Sequence, residues 1–220
     1  TLKIFPLIMR ILLYPWFGST FKNHNKYIQT YKYLFGKETI VNTVPYKIPD
    51  AVFYKRWKNI RKGGLTEPDY EEYDCIHMIS GGCLIAYNQI NYFKKIESPK
   101  MIFDSGPFFP CNHLTANFLY HNINYLPKLS VYPIATTLGA YWKYVEKYDI
   151  EGNMIKYTDW LNQQENSLCI INQDDPLLDK ERIDMFIQNS GSTIVNFDAP
   201  HAFLLKDKDK YHQVLSDYLN

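Results

Sequence analysis

Three side chains of this sequence could together move a proton and attack a carbonyl carbon. Ser80 follows a short apolar run, and Asp175 and His201 each follow a later apolar run. A serine hydroxyl becomes a strong nucleophile when a neighbouring imidazole takes its proton and a carboxylate orients the imidazole ring. The residue types and their order along the chain therefore indicate acyl-transfer chemistry, provided that the surrounding elements bring them together.

Ser80 stands between a predicted strand and a predicted helix. The run 74–79 has the length of a buried strand, and a helical pattern begins at Cys83. Between them lies Ser80-Gly81-Gly82, whose small residues allow a strand and a helix to approach closely around an exposed serine oxygen. The match to the pattern G-x-S-x-G is partial, because Met78 stands in place of the first glycine. An ordinary tight turn is the alternative, since it uses the same residue types.

The candidate acid and base follow the last two predicted strands. Asp174 and Asp175 come after the run 168–171, and His201 stands between the run 192–196 and the last helical pattern. The order serine, acid, histidine, each in a loop after a strand, is typical of α/β hydrolases. A solvated helix N-cap is the alternative for either aspartate, and a surface loop histidine is the alternative for His201.

The reaction would also need N–H donors for the oxyanion. We expect one from the backbone of Gly81 and one from the connection at Trp16 and Phe17, which follows the first predicted strand. His77, in the strand before the serine, is expected to be structural.

A substrate pocket is expected beside the serine. Asp104 ends the next predicted strand, where it would shape the pocket wall. Phe108 and Phe109 open an aromatic segment that would line the pocket with apolar surface.

Strand and helix patterns alternate along most of the chain. This alternation predicts an α/β fold with a mostly parallel sheet of about six strands and helices on both faces, in a single domain over residues 1–220. The segment 107–167 interrupts the alternation and predicts a helical cap insertion over one edge of the sheet. The predicted strands are 7–13, 39–43, 74–79, 99–103, 168–171 and 192–196, and the predicted helices are 23–35, 51–61, 83–95, 179–188 and 209–219.

Composition excludes several classes of function. The net charge of +1 over 220 residues gives no electrostatic basis for binding nucleic acid. The 4 cysteines lack metal-binding spacing, so we expect no metal site and a reducing, intracellular compartment. No glycine-rich phosphate loop follows the first strand, and we expect no cofactor. Codon bias is a sufficient explanation for the aromatic content of 16%.

Membrane insertion is not expected from the apolar runs. A span needs about 20 apolar residues, and the longest candidate, 4–16, is interrupted by Pro6, Arg10 and Pro15. The chain begins with Thr1, so we expect it to be processed or trimmed.

Two segments resemble the transmembrane protein 53 family of α/β-hydrolase-like proteins. The segments are 77–83, around Ser80, and 102–107, which reads Ile-Phe-Asp-Ser-Gly-Pro. Further similar features are the early Trp16-Phe17-Gly18 and the sequence Asp175-Pro176-Leu177-Leu178. The resemblance implies an α/β-hydrolase fold and favours Asp175 over Asp174 as the acid. The chain departs from the family at Gly81, where an asparagine is usual, and at Leu204, where a second histidine is usual.

The resemblance leaves two kinds of function open. The first is an esterase or thioesterase acting on a small apolar acyl substrate through Ser80, His201 and Asp175. The second is a catalytically silent subunit that binds protein partners in a larger assembly, because some members of the family serve in binding or regulation. For this second function, the mitochondrion or a membrane surface is also an expected location of the chain.

Overall fold

Six parallel strands form the centre of this computed structural model. It describes residues 8–16, 19–44, 69–93, 99–106, 133–137, 140–141, 144, 150–164, 167–172, 174–175, 178, 180–198, 204 and 207–220. The strands have the spatial order β2-β1-β3-β4-β5-β6, and every neighbouring pair is parallel. Their bounds are β1 Arg10–Tyr14, β2 Ile40–Thr43, β3 Cys75–Ile79, β4 Lys100–Asp104, β5 Ser167–Ile171 and β6 Thr193–Asn196.

Helices cover both faces of this sheet. One face packs against α2, α3 and α4, and the other packs against α1 and α5. Strands buried on both faces explain why the central runs are continuously apolar rather than alternating. The bounds are α1 Phe21–Phe35, α2 Gly82–Phe93, α3 Ile150–Asn162, α4 Lys180–Asn189 and α5 Lys208–Leu219, with a 3-10 turn at Tyr70–Glu72 and a helical stretch at 133–137.

The predicted fold class is confirmed, with differences at element ends. The first strand begins at Arg10 rather than at residue 7, because pairing with β2 starts where Arg10 faces Ile40. Ile8, before that pair, has half of its surface exposed. The predicted helix 51–61 lies outside the described residues.

The end of the predicted cap segment is a core helix. Tyr157 and Leu161 of α3 are fully buried in the cluster that also holds Phe103 of β4. A cap formed by the residues before α3 stays a prediction. In the described part of the chain, no helix combines the length and apolarity that crossing a bilayer requires.

Candidate active site

Ser80 occupies the turn between β3 and α2 in a left-handed backbone conformation. Its φ is 48°, a value that costs a residue with a Cβ about 1–2 kcal/mol. Two backbone hydrogen bonds hold the turn. The Ser80 N–H donates to the Asp104 carbonyl oxygen at 2.8 Å, and the Cys83 N–H donates to the Ser80 carbonyl oxygen at 3.0 Å. The conformation matches the sharp strand-to-helix turn that the sequence predicts.

The turn touches the end of β1 because residue 82 is a glycine. A Cβ built on Gly82 would overlap the carbonyl oxygen of Tyr14 and lie 2.8 Å from that of Pro15. Only a residue without a side chain allows the first turn of α2 to approach β1 so closely. The connection that leaves β1 at Pro15 therefore starts beside Ser80, where an oxyanion-binding loop would have to be.

Part of that connection is fixed to α1. The Ser19 N–H donates to the Trp16 carbonyl oxygen at 3.1 Å, which closes a turn. The Ser19 Oγ lies 2.7 Å from Nε2 of His24, and partial burial lowers the pKa of His24. The Trp16 ring packs edge-on against Tyr27, with 6.2 Å between centroids. Phe17, the other predicted member of this connection, lies outside the described residues.

Gly81, the predicted oxyanion donor after the serine, is buried in the turn. Its carbonyl oxygen accepts the N–H of Leu84 at 3.2 Å, which continues the first turn of α2. The backbone of Gly81 is thereby fixed at the point where the helix begins.

Asp175 lies in the connection after β5, at the same edge of the sheet as Ser80. Only 4% of its surface is exposed, whereas Asp174 is exposed to solvent. Its N–H donates to the Asn172 carbonyl oxygen at 3.1 Å, and its own carbonyl accepts the Leu178 N–H at 3.0 Å. In this connection Asp175 faces the protein interior and Asp174 faces solvent. The predicted base, His201, lies outside the described residues.

Asp104, the predicted pocket residue, has a fully buried carboxylate at the end of β4. Its Oδ2 accepts hydrogen bonds from the hydroxyls of Tyr27, at 3.2 Å, and Tyr211. Its Oδ1 accepts one from Ser105 at 3.1 Å. Ser105 also has a left-handed backbone, with φ 52°. Phe108 and Phe109 lie outside the described residues.

His77 completes this buried cluster beneath the serine. Its Nδ1 lies 2.7 Å from the Tyr31 hydroxyl, and its Nε2 lies 3.4 Å from Oδ2 of Asp104. Burial, followed by the nearby Asp104 charge, raises the pKa of Tyr27 and of Tyr211 well above 10.0. Both hydroxyls therefore stay neutral and can donate. The structural role expected for His77 agrees with this placement, but no local sequence pattern indicates that tyrosines surround it.

Metal binding and cysteine nucleophilic attack are two other chemistries that depend on His, Cys, Asp and Glu side chains. Among the residues that the structure describes, no group of three or more such side chains could hold a metal ion. Cys75, Cys83 and Cys169 are buried and form no disulfide bond. Burial raises the pKa of Cys75 and Cys169, which disfavours the thiolate that a cysteine nucleophile needs.

Known proteins resemble this chain in structure but not in sequence. No family model and no curated protein matches the sequence, so the resemblance to the transmembrane protein 53 family stays a prediction. Solved structures do match. An esterase from Pyrococcus furiosus aligns with 96% of this chain and 80% of its own, at 15% identity and a TM-score of 0.58. Carboxyl esterase 2 from the fungus Tuber melanosporum aligns with 98% of this chain and 78% of its own, at 12% identity and a TM-score of 0.60.

A third match is more remote in sequence but covers more of the known protein. An esterase from Exiguobacterium antarcticum aligns with 96% of this chain and 91% of its own, at 11% identity and a TM-score of 0.54. At these identities the likeness establishes the fold alone. Together with the six-stranded parallel sheet covered by helices on both faces, it establishes that this chain has an α/β-hydrolase fold.

Proposed function

We propose that the chain is a serine hydrolase that cleaves an ester or thioester of a small apolar acyl group. Ser80 is the nucleophile, His201 the base and Asp175 the acid. The observation that supports this most strongly is the φ of 48° at Ser80. Glycine adopts that backbone without penalty, so a serine that keeps it indicates a need for the side chain.

Each side chain has one role in the proposed mechanism. His201 takes the hydroxyl proton as the Ser80 oxygen bonds to the substrate carbonyl carbon. The carbon–oxygen or carbon–sulfur bond of the substrate then breaks, and His201 returns the proton to the leaving alcohol or thiol. Water, deprotonated by the same imidazole, releases the acid and restores the hydroxyl. Asp175 orients the ring and stabilises its charged form.

The backbone at the turn would stabilise the developing oxyanion. Gly81 follows the nucleophile directly, and its N–H is one proposed donor. The second comes from the connection at Trp16 and Phe17, which starts at the point where Gly82 contacts Tyr14 and Pro15. A donor of this kind lowers the barrier by about 3 kcal/mol.

A fluorophosphonate probe tests the nucleophile, because it reacts with an activated serine hydroxyl. Folded wild type should be labelled on Ser80, and Ser80→Ala should not be labelled. Folded wild type that resists labelling under all conditions would contradict the proposal.

The acid is tested with two neighbouring carboxylates. Asp175→Asn should slow labelling by about 10³- to 10⁴-fold, because the imidazole loses its orienting partner. Asp174→Asn is the matched control and should label at the wild-type rate, since its side chain faces solvent. The opposite pair of results would assign the acid to Asp174.

A further inference from the structure

Ser105 follows β4 directly, as Ser80 follows β3, and the two strands are neighbours in the sheet. Its φ is 52°, and among the described residues other than glycine only these two serines have a positive φ. Ser105 is completely buried, at 0% exposure, so a substrate cannot reach its hydroxyl. A strained backbone persists only where the surrounding structure holds it. The strain at Ser105 therefore indicates a role in positioning other groups.

The peptide group that joins Asp104 to Ser105 bonds to both neighbouring strand ends. Its carbonyl oxygen accepts the Ser80 N–H at 2.8 Å, and its N–H donates to the Ile170 carbonyl oxygen of β5 at 2.9 Å. Because the peptide group is planar and its two polar atoms point in opposite directions, a rotation would weaken both bonds at once. One peptide group therefore sets the position of the Ser80 turn relative to the end of β5.

The end of β5 leads to the proposed acid. Ile171 is the last residue of this strand, and Asn172 follows it. The Asn172 carbonyl oxygen accepts the Asp175 N–H at 3.1 Å, which holds Asp175 close to the strand end. The peptide 104–105 thus lies between the turn that carries the proposed nucleophile and the strand end that carries the proposed acid.

The side chain of Ser105 explains why this position is not a glycine. Its hydroxyl donates to Oδ1 of Asp104 at 3.1 Å, and that carboxylate is fully buried. Removing a donor from a buried carboxylate is costly, because the oxygen does not regain a hydrogen bond to water. The hydroxyl of Ser105 thus stabilises the carboxylate, while the backbone of the same residue orients the peptide. Substitutions can separate these two effects.

We propose that Ser105 is a positioning residue whose left-handed backbone orients the peptide 104–105 and so sets the Ser80 turn in register with the strand end that carries Asp175. The inference rests on the proposed function for its effect on reactivity. It requires that reactivity depend on the backbone conformation at Ser105 and not on the hydroxyl bond alone.

The experiment compares Ser105→Ala with Ser105→Gly. Both variants lose the donor to Oδ1 of Asp104, so both should have a lower urea midpoint than wild type. Alanine keeps the Cβ that makes a left-handed backbone unfavourable, and without the hydroxyl bond the peptide 104–105 should rotate towards a relaxed conformation. Glycine adopts the left-handed backbone without that penalty and should keep the peptide in place.

Ser105→Ala should lower the labelling rate of Ser80 and the kcat for a p-nitrophenyl ester by about 10- to 100-fold, because small displacements of a catalytic group are costly. KM should change by less than about twofold. Ser105→Gly should be labelled at a rate within about threefold of wild type. If Ser105→Ala does not fold, a folded Ser105→Gly that is labelled more than about tenfold slower than wild type still overturns the proposal.

Ser167→Ala is the matched control. Ser167 is also a buried serine, at 1% exposure, and its hydroxyl donates to the Gln164 carbonyl oxygen at 2.9 Å. It begins β5 opposite Met101, so it lies at the other edge of the sheet, about 10 Å along the strand from Ile170. Ser167→Ala should lower the urea midpoint and leave labelling and kcat near wild type.

Hydrogen exchange at the Ser80 amide, resolved by NMR, provides a readout that does not depend on activity. This amide donates to the Asp104 carbonyl oxygen, so it should exchange at least about tenfold faster in Ser105→Ala than in Ser105→Gly or Ser167→Ala. If wild type reacts and Ser105→Ala is labelled as fast as Ser105→Gly, the positioning role is overturned while the proposed function stands. If wild type is inert, the proposed function fails. The exchange comparison alone then supports the positioning role or, with equal rates in the three variants, overturns it.

Discussion

Replacing Ser80 with glycine should stabilise the protein relative to alanine while removing the proposed nucleophile. Both variants lack the hydroxyl, but alanine keeps the Cβ that makes a φ of 48° unfavourable. That penalty is about 1–2 kcal/mol. Glycine avoids it and loses about 0.5–1 kcal/mol through its greater freedom in the unfolded chain. Ser80→Gly should therefore have a free energy of unfolding about 0.5–1 kcal/mol above that of Ser80→Ala.

Urea denaturation of the two variants measures this difference, and in thermal unfolding 1 kcal/mol corresponds to about 2–4 °C at this chain length. Ser216, in the last turn of the right-handed helix α5, provides a control of opposite sign. In a right-handed helix Ser216→Gly should be less stable than Ser216→Ala by about 1 kcal/mol. If glycine is also the less stable residue at position 80, the left-handed turn does not carry the strain on which the proposed function relies.

Two more perturbations follow from the structure. Gly82→Ala should lower the free energy of unfolding by about 1–3 kcal/mol and slow Ser80 labelling, because its Cβ meets the carbonyl oxygens at the end of β1. Gly36, at φ 98°, is the control position, because a Cβ built on it would meet no atom within 4 Å other than those of its chain neighbours. Gly36→Ala should therefore lose stability through backbone strain alone, and equal labelling of the Gly82→Ala and Gly36→Ala variants would refute the role of the Gly82 contact. Burial raises the pKa of Tyr211 well above 10.0, so the folded protein retains a proton that the unfolded chain releases. The contribution of Tyr211 to the free energy of unfolding should stay constant below about pH 10. Above that pH it should decline by up to about 1.4 kcal/mol per pH unit. Urea midpoints between pH 8 and 11 should decline less steeply in Tyr211→Phe, and an unchanged slope would contradict this assignment.

The order of strands and helices could be predicted because it depends on local patterns. Strands β3 and β5, buried on both faces, are continuous apolar runs, and the observed bounds differ from the predicted ones by a single residue at their first positions. The turn at Ser80 was predictable for the same reason, since Gly81 and Gly82 follow it directly. The apolar run 7–13 predicts too early a start for the first strand, because that start depends on pairing with β2, which the run does not reveal.

The buried cluster at Asp104 could not be predicted from local patterns. Its two tyrosine donors are 77 and 107 positions away in sequence. Tyrosines are so frequent in this chain that codon bias is a sufficient explanation for most of them. Only the packing of α1 and α5 on one face of the sheet identifies the few that bond to a carboxylate. The buried position of Asp175, against the exposed Asp174, likewise depends on how the connection after β5 turns.

The tie between Asp104 and the last helix has a consequence for how the domain assembles. Covering strand β4 on the side of α1 buries the Asp104 carboxylate. One of the hydroxyls that donate to this carboxylate belongs to Tyr211 of α5. In a partly folded form without packed α5, the buried Asp104 carboxylate would lack the hydrogen bond from Tyr211. That loss costs about 1–3 kcal/mol. The first and last helices should therefore dock together in one cooperative step, and isolated fragments lacking either of them should be poor folding units.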